Sequence, residues 1–105
     1  MSVRVGSADE VPAGEMRVFD MAGTKLNVTN ADGHLYGFED ICTHMGCSLA
    51  AGELDGTVVT CACHGSQFDI TNGDVLRGPA ERPVRSIPLT VENGEILAEA
   101  STTAR

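Results

Sequence analysis

The chain carries two short segments rich in cysteine and histidine, Cys42-Thr43-His44-Met45-Gly46-Cys47 and Cys61-Ala62-Cys63-His64-Gly65-Ser66. All four cysteines of the chain and two of its three histidines lie in these two segments. Thiolate and imidazole are ligands that transition metals and iron–sulfur clusters favour. This concentration of side chains therefore predicts a metal-containing site built from both segments.

Three kinds of site compete for these residues. Two disulfides would suit a small secreted domain, but no signal-peptide pattern is visible and the histidines would have no role. A structural zinc site would use two cysteines and two histidines, but its usual spacing places both cysteines before both histidines. The third kind of site is an iron–sulfur cluster that takes one cysteine and one histidine from each segment.

The spacing Cys-X-His, sixteen residues, Cys-X-X-His resembles the Rieske motif. In that family, two cysteines hold one iron of a [2Fe–2S] cluster and two histidines hold the other. The resemblance implies that Cys42 and Cys61 bind the inner iron and that His44 and His64 bind the outer iron. Residues Gly78-Pro79-Ala80 are similar to the family's third, proline-containing loop.

The resemblance also suggests how the remaining cysteines and two nearby residues act. It implies a Cys47–Cys63 disulfide between the two segments, whereas a cytosolic location would favour two free thiols. Ser66 matches a serine whose hydroxyl donates to a bridging sulfide, although a plain turn residue is the alternative. Phe68 stands where the high-potential branch of the family has tyrosine, so we expect a potential below that of the respiratory proteins.

Four further residues belong to the predicted surroundings of the cluster. Met45 is expected to shield the cluster, although ordinary loop packing explains it equally well. Gly46 and Gly65 are expected to permit close backbone approach or a positive φ. The resemblance places Pro79, in the third loop, among the residues around the cluster.

The rest of the chain has the pattern of an all-β domain. Short runs of alternating polar and apolar residues are separated by turn dipeptides such as Asp-Gly and Asn-Gly. These runs lie at 15–20, 25–29, 34–38, 57–60, 67–70, 74–76, 87–92 and 95–98, and Pro88 restricts its strand to a sheet edge or bulge. We expect one Rieske domain over residues 1–105, an antiparallel β-sandwich or barrel. Its base would comprise 1–40 and 78–105, with a smaller cluster-binding β subdomain inserted at 41–77.

The composition excludes several classes of partner. The chain has 105 residues, 42% of them hydrophobic, and a formal net charge of −8. Nucleic acid and anionic membranes are therefore not expected partners, because both attract basic surfaces. No lysine or arginine occurs between Leu26 and Leu76, while this stretch contains Asp32, Glu39, Asp40, Glu53, Asp55, Asp69 and Asp74. This acidic stretch is expected either to promote solubility or to dock onto a basic partner surface.

The site residues also limit the function. Only His34 remains outside the two segments, so the chain cannot supply a second iron site with two histidines and one carboxylate. No G-x-G-x-x-G fingerprint for a dinucleotide occurs either. We therefore expect an electron-transfer component and not an enzyme.

The resemblance implies a particular electron-transfer role. It predicts a cytoplasmic, monomeric Rieske-type ferredoxin that carries electrons from a flavin-dependent reductase to a terminal oxygenase of aromatic rings. Three alternatives remain. They are a small subunit of a larger redox enzyme of the nitrite-reductase type, a soluble high-potential protein of a respiratory chain, and a zinc module without redox activity.

Overall fold

The computed structural model describes residues 2–21, 23–43, 46–63 and 65–99. These residues form strands β1 Ser2–Ser7, β2 Met16–Met21, β3 Thr24–Ala31, β4 His34–Glu39, β5 Glu53–Asp55, β6 Val58–Thr60, β7 Gln67–Asp69, β8 Val75–Arg77, β9 Leu89–Glu92 and β10 Glu95–Glu99. Two single-turn 3₁₀ helices, Ala8–Glu10 and Leu49–Ala51, complete the regular structure of this part of the chain. In the same residues no helix has the length and apolar character that crossing a bilayer requires.

The strands form three antiparallel sheets. Sheet A has the strand order β1-β10-β9, sheet B the order β2-β3-β4, and sheet C the order β5-β6-β7-β8. Sheet A combines strands from both ends of the chain, sheet B uses strands between residues 16 and 39, and sheet C uses strands between residues 53 and 77. The predicted all-β antiparallel fold is confirmed, while the subdomain boundaries at 40/41 and 77/78 stay a prediction.

The turn dipeptides explain most of the strand pairing. Asp32 and Asn93 each adopt a positive φ directly before a glycine, as two-residue hairpin turns require. Strand β9 begins after Pro88 and is an edge strand of sheet A, as predicted.

Strands β1 and β5 lie outside the predicted runs. Strand β1 pairs with β10 at the opposite end of the chain, so no turn dipeptide between adjacent runs predicts this pairing.

Two apolar clusters stabilise the fold. The first cluster contains buried residues of sheets A and B, among them Leu26, Val28 and Ile96. The second cluster contains residues of sheets B and C and of the connecting loops, among them Cys42, Leu49, Val59, Cys61 and Phe68. Both cysteines that the sequence assigns to the inner iron therefore lie within one apolar cluster.

The central strand of sheet B is buried on both faces. Leu26 and Val28 pack into the first cluster, while Asn27 and Thr29 point to the opposite face and are also fully buried. Strand alternation usually places such polar residues in water. Here the Thr29 hydroxyl donates to Asn27 Oδ1 over 2.7 Å, and the Asn27 amide donates onward to Asp40. This face of sheet B therefore carries a buried polar network.

We predict that Gly73→Ala lowers the free energy of unfolding by more than about 2 kcal/mol. Gly73 has a φ of +87°, and a Cβ atom there would lie 2.2 Å from the carbonyl oxygen of Val84. The matched control is Gly94→Ala, because Gly94 has a φ of +79° but open space around the added methyl group. Its cost should be about 1 kcal/mol. Urea unfolding of both proteins measures the difference, and equal losses would contradict the predicted clash.

Candidate metal centre

The first cysteine-containing segment forms a closed loop after strand β4. We call residues 42–47 loop 1. The Cys42 N–H donates to the Cys47 carbonyl over 2.8 Å, and the Gly46 N–H donates to the Cys42 carbonyl over 2.7 Å. Gly46 adopts a φ of +79°, a conformation that a side chain would oppose. The loop thus folds back on its first residue.

The second segment, residues 61–66, repeats this geometry between β6 and β7. In this loop 2, the Cys61 N–H donates to the Ser66 carbonyl over 2.8 Å, and the Gly65 N–H donates to the Cys61 carbonyl over 3.1 Å. Gly65 adopts a φ of +81°. The two loops therefore share one backbone design, in which a cysteine begins the loop and a glycine closes it.

The cysteines at the start of each loop are shielded from water. Cys42 and Cys61 are each 2% exposed and belong to the second apolar cluster together with Phe68. Both lie outside the disulfide described below. Two buried thiol groups on two matching loops fit a group that needs two soft, anionic ligands protected from solvent. The donor chemistry of this part of the chain therefore fits the inner iron of the predicted cluster.

Three predicted site residues cannot be placed in this geometry. His44, Met45 and His64 lie outside the residues that the structure describes. Their predicted roles, two as ligands of the outer iron and one as a shield, stay predictions.

A disulfide connects the two loops. Cys47 and Cys63 are bonded through their sulfur atoms, with their Cα atoms 6.6 Å apart. The sulfur atom of Cys61 lies within 4.8 Å of both disulfide sulfurs. Because Cys47 and Cys63 are consumed by this bond, Cys61 is the member of the trio that can offer a thiolate to a metal.

A third segment, the proline loop (residues 78–83), contacts both loops. The Ala80 N–H donates to the Ser66 hydroxyl oxygen over 3.0 Å, which connects the proline loop to loop 2. The Thr43 hydroxyl donates to the Arg82 carbonyl over 2.6 Å, which connects it to loop 1. Pro79 is exposed at the start of this segment. The three segments that the sequence associates with the cluster therefore meet at one place.

The last residue of loop 2, Ser66, and the nearby Phe68 bear on the electronic environment of the site. Ser66 is fully buried, and its oxygen accepts the Ala80 N–H, so its own hydroxyl hydrogen can serve another acceptor. Donation of the Ser66 hydroxyl to a sulfide of the cluster stays a prediction. Phe68 is fully buried in the apolar cluster and, unlike tyrosine, has no hydroxyl to donate.

The acidic residues of the central stretch do not form one surface beside these loops. Asp40 is buried, and Glu39 forms an ion pair in which its Oε2 atom lies 3.5 Å from Nη1 of Arg85. Four other members lie at the last residue of a strand or in the turn beside it, at the strand ends farther from the loops, namely Asp32, Asp55, Asp69 and Asp74. Glu53 pairs with Thr60 in sheet C, directly before loop 2. The expected acidic docking surface is therefore dispersed in space.

Sequence reasoning missed two contributions to the site. The sequence places Asp40 in an acidic stretch that is expected to face solvent or a partner, whereas the structure buries its carboxylate shortly before loop 1. No role is predicted for Thr43 from the sequence, but its side chain donates to the proline loop. The sequence does contain a pattern that could predict the contact between Asp40 and Ser48. An acidic residue precedes loop 1, and a hydroxyl residue follows it.

Comparisons with known proteins agree on one family. The family model for the Rieske [2Fe-2S] domain matches residues 1–88. The ferredoxin component of the p-cumate 2,3-dioxygenase system of Pseudomonas putida is 39% identical over 95 residues, which cover 89% of this chain and 80% of that protein. The solved ferredoxin of carbazole 1,9a-dioxygenase from Nocardioides aromaticivorans IC177 superposes with a TM-score of 0.91 at 26% identity, covering 96% of this chain and 99% of that one.

A further solved structure contains a similar chain within a complex. It is the complex of reduced oxygenase and oxidized ferredoxin in carbazole 1,9a-dioxygenase. The matching chain has a TM-score of 0.87 at 31% identity, covering 92% of this chain and 91% of that one.

We predict that alkylation without reductant labels Cys42 and Cys61 and leaves Cys47 and Cys63 unlabelled. The protein is unfolded with a chelator at mildly acidic pH, where thiol–disulfide exchange is slow because few thiols are ionised. Mass spectrometry of the peptides then locates the label. Prior reduction should label all four cysteines, and label on Cys47 and Cys63 in the unreduced sample would contradict the bond.

The motif, the two matching loops and the comparisons agree. Two buried cysteines begin loops of the same backbone geometry, and the histidines of the motif follow them in sequence. The family match extends over most of the chain, well beyond the loops. This chain belongs to the Rieske [2Fe-2S] family.

Proposed function

We propose that this chain is a one-electron carrier that holds a [2Fe–2S] cluster through the thiolates of Cys42 and Cys61 and the imidazoles of His44 and His64. It would accept an electron from a flavin-dependent reductase and deliver it to a terminal Rieske oxygenase that acts on aromatic rings. The observation that carries the proposal is the pair of loops with matching hydrogen bonds, each beginning with a buried cysteine.

The ligand set accounts for the redox range of such a site. When bound, the cluster supplies a reversible one-electron centre, with a potential of about −150 to +300 mV when two histidines replace two cysteines. The two thiolates neutralise the charge of two ferric ions and two sulfides, so an added electron meets no net negative charge. Phe68 provides no hydroxyl donor, which favours the lower part of this range and a ferredoxin over a high-potential respiratory protein.

The surface beside the loops supports brief contacts with protein partners. Ile41, directly before loop 1, is 44% exposed, and Leu76, two residues before the proline loop in sequence, is 53% exposed. Arg82 lies in the proline loop and Arg85 follows it, and both line a groove beside loop 1. An apolar surface with arginines suits small, transient electron-transfer interfaces.

The names of the relatives support this choice of partners. One relative is a ferredoxin component of a dioxygenase system, and one similar chain lies in a complex of an oxygenase and a ferredoxin. We extend both roles to this chain as part of the proposal. A cytoplasmic location and a monomeric state follow as further proposals, as does the division into a base (1–40 and 78–105) and a cluster-binding insert (41–77).

We predict that the purified holoprotein is reddish brown and that dithionite bleaches its visible absorption. With NADH, oxygenase and reductase from the p-cumate system of Pseudomonas putida, substrate oxidation should require this protein. Cys42→Ser and His64→Ala should each abolish the spectrum and the electron transfer, because each removes one proposed ligand. A colourless wild-type protein, or a spectrum unchanged in His64→Ala, would refute the proposed function.

We predict that Ser66→Ala lowers both the reduction potential and the stability. The change removes the proposed donor to the cluster and leaves the buried Ala80 N–H without its acceptor, at a cost of about 1–3 kcal/mol. Direct electrochemistry and urea unfolding of the holoprotein measure the two effects. The exposed Ser86→Ala is the control and should change neither. A loss of stability with an unchanged potential would restrict Ser66 to a structural role.

A further inference from the structure

A buried carboxylate lies at the base of loop 1. Asp40 is 5% exposed, and its Oδ1 atom accepts the Ala50 N–H over 2.7 Å and the Asn27 side-chain amide over 2.9 Å. Its Oδ2 atom accepts the hydroxyl of Ser48. All three of these partners are uncharged donors. Burying a carboxylate is costly unless its hydrogen bonds are replaced, and this set replaces several of them.

These contacts join the two ends of loop 1. Asp40 lies two residues before Cys42, whereas Ser48 and Ala50 lie one and three residues after Cys47. The backbone of Asp40 is itself attached to sheet B, because its N–H donates to the Lys25 carbonyl over 2.9 Å. One side chain therefore connects the entry of the loop, its exit and the sheet beneath it.

Loop 2 does not need such a residue. Strands β6 and β7 pair directly outside it, with Thr60 opposite Gln67. Loop 1 has strand β4 at its entry and the 3₁₀ helix Leu49–Ala51 at its exit, and these two elements do not pair as strands. At loop 1, hydrogen bonds to the carboxylate of Asp40 hold the two ends of the loop together, as strand pairing does at loop 2.

We propose that Asp40 is a positioning residue that closes the base of loop 1 and thereby fixes the direction in which Cys42 meets the cluster. The inference rests on the proposed function, because it assumes that Cys42 is a ligand. It assigns to Asp40 a role that its charge alone does not indicate.

Two substitutions separate the shape of the side chain from its charge. In Asp40→Asn, the remaining oxygen can still accept both N–H donors, and the new amide can donate to Ser48, whose hydroxyl also accepts. In Asp40→Ala, all three hydrogen bonds are lost and both ends of loop 1 are released. A positioning role therefore predicts that Asp40→Asn keeps the loop geometry and the cluster stability that Asp40→Ala loses.

The test measures the reduced holoprotein by electron paramagnetic resonance and the rate of cluster loss in excess chelator. Asp40→Ala should shift or broaden the g values and shorten the half-life of the cluster about tenfold, as expected for losing hydrogen bonds to a charged group. Asp40→Asn should restore the wild-type g values and most of the half-life.

A destabilising control separates local from global effects. Ile96→Ala creates a cavity in the first apolar cluster, away from the loops, and lowers the stability of the whole fold. It should leave the g values unchanged. If Asp40→Ala resembles Ile96→Ala in its g values and its cluster half-life, the positioning role is wrong.

A milder variant covers the case in which Asp40→Ala does not fold. Ser48→Ala removes one of the three hydrogen bonds and should shorten the cluster half-life about threefold, since a single bond is lost. An unchanged half-life would overturn the inference alone. A wild-type protein without the resonance signal would overturn the proposed function and this inference together.

Discussion

The hydrogen bond from the first cysteine of each loop to a carbonyl five residues later is the constraint on which the site depends. It brings the two ends of each loop together, so that Cys42 and Cys61 begin loops closed by the same pair of hydrogen bonds. The positive φ of the closing glycine makes this turn possible. Once both loops have this shape, the Cys47–Cys63 disulfide and the proline loop can connect them.

Local signals predict most of the strands, and the exceptions have clear physical causes. Hairpins such as β3–β4 and β9–β10 are recognisable because a turn dipeptide lies between two alternating runs. Strand β1 pairs with β10, which lies at the other end of the chain, so no residue close to β1 in sequence predicts this strand. Strand β5 has three residues, two of them acidic, and forms only because β6 lies beside it.

The motif predicts the cysteines of the site, but it does not predict what supports them. The resemblance of the spacing to the Rieske motif singles out Cys42 and Cys61 as the expected ligands of the inner iron. The roles of Asn27 and Asp40 depend on a contact between a strand and a loop thirteen residues apart, and no local pattern encodes that contact. The same limit applies to charge. The acidic stretch is continuous in sequence, yet turns, burial and an ion pair separate its members in space.

The contacts of the loops bear on whether this centre can be transplanted. The loops and sheet C are contiguous in sequence, so a segment spanning residues 41–77 looks like a portable unit. Its hydrogen-bonding partners are not all inside that segment, because Ala80, Arg82 and Asp40 lie beyond its ends. A graft onto another scaffold would need to carry the flanking residues as well, or the host would have to supply equivalent donors and acceptors.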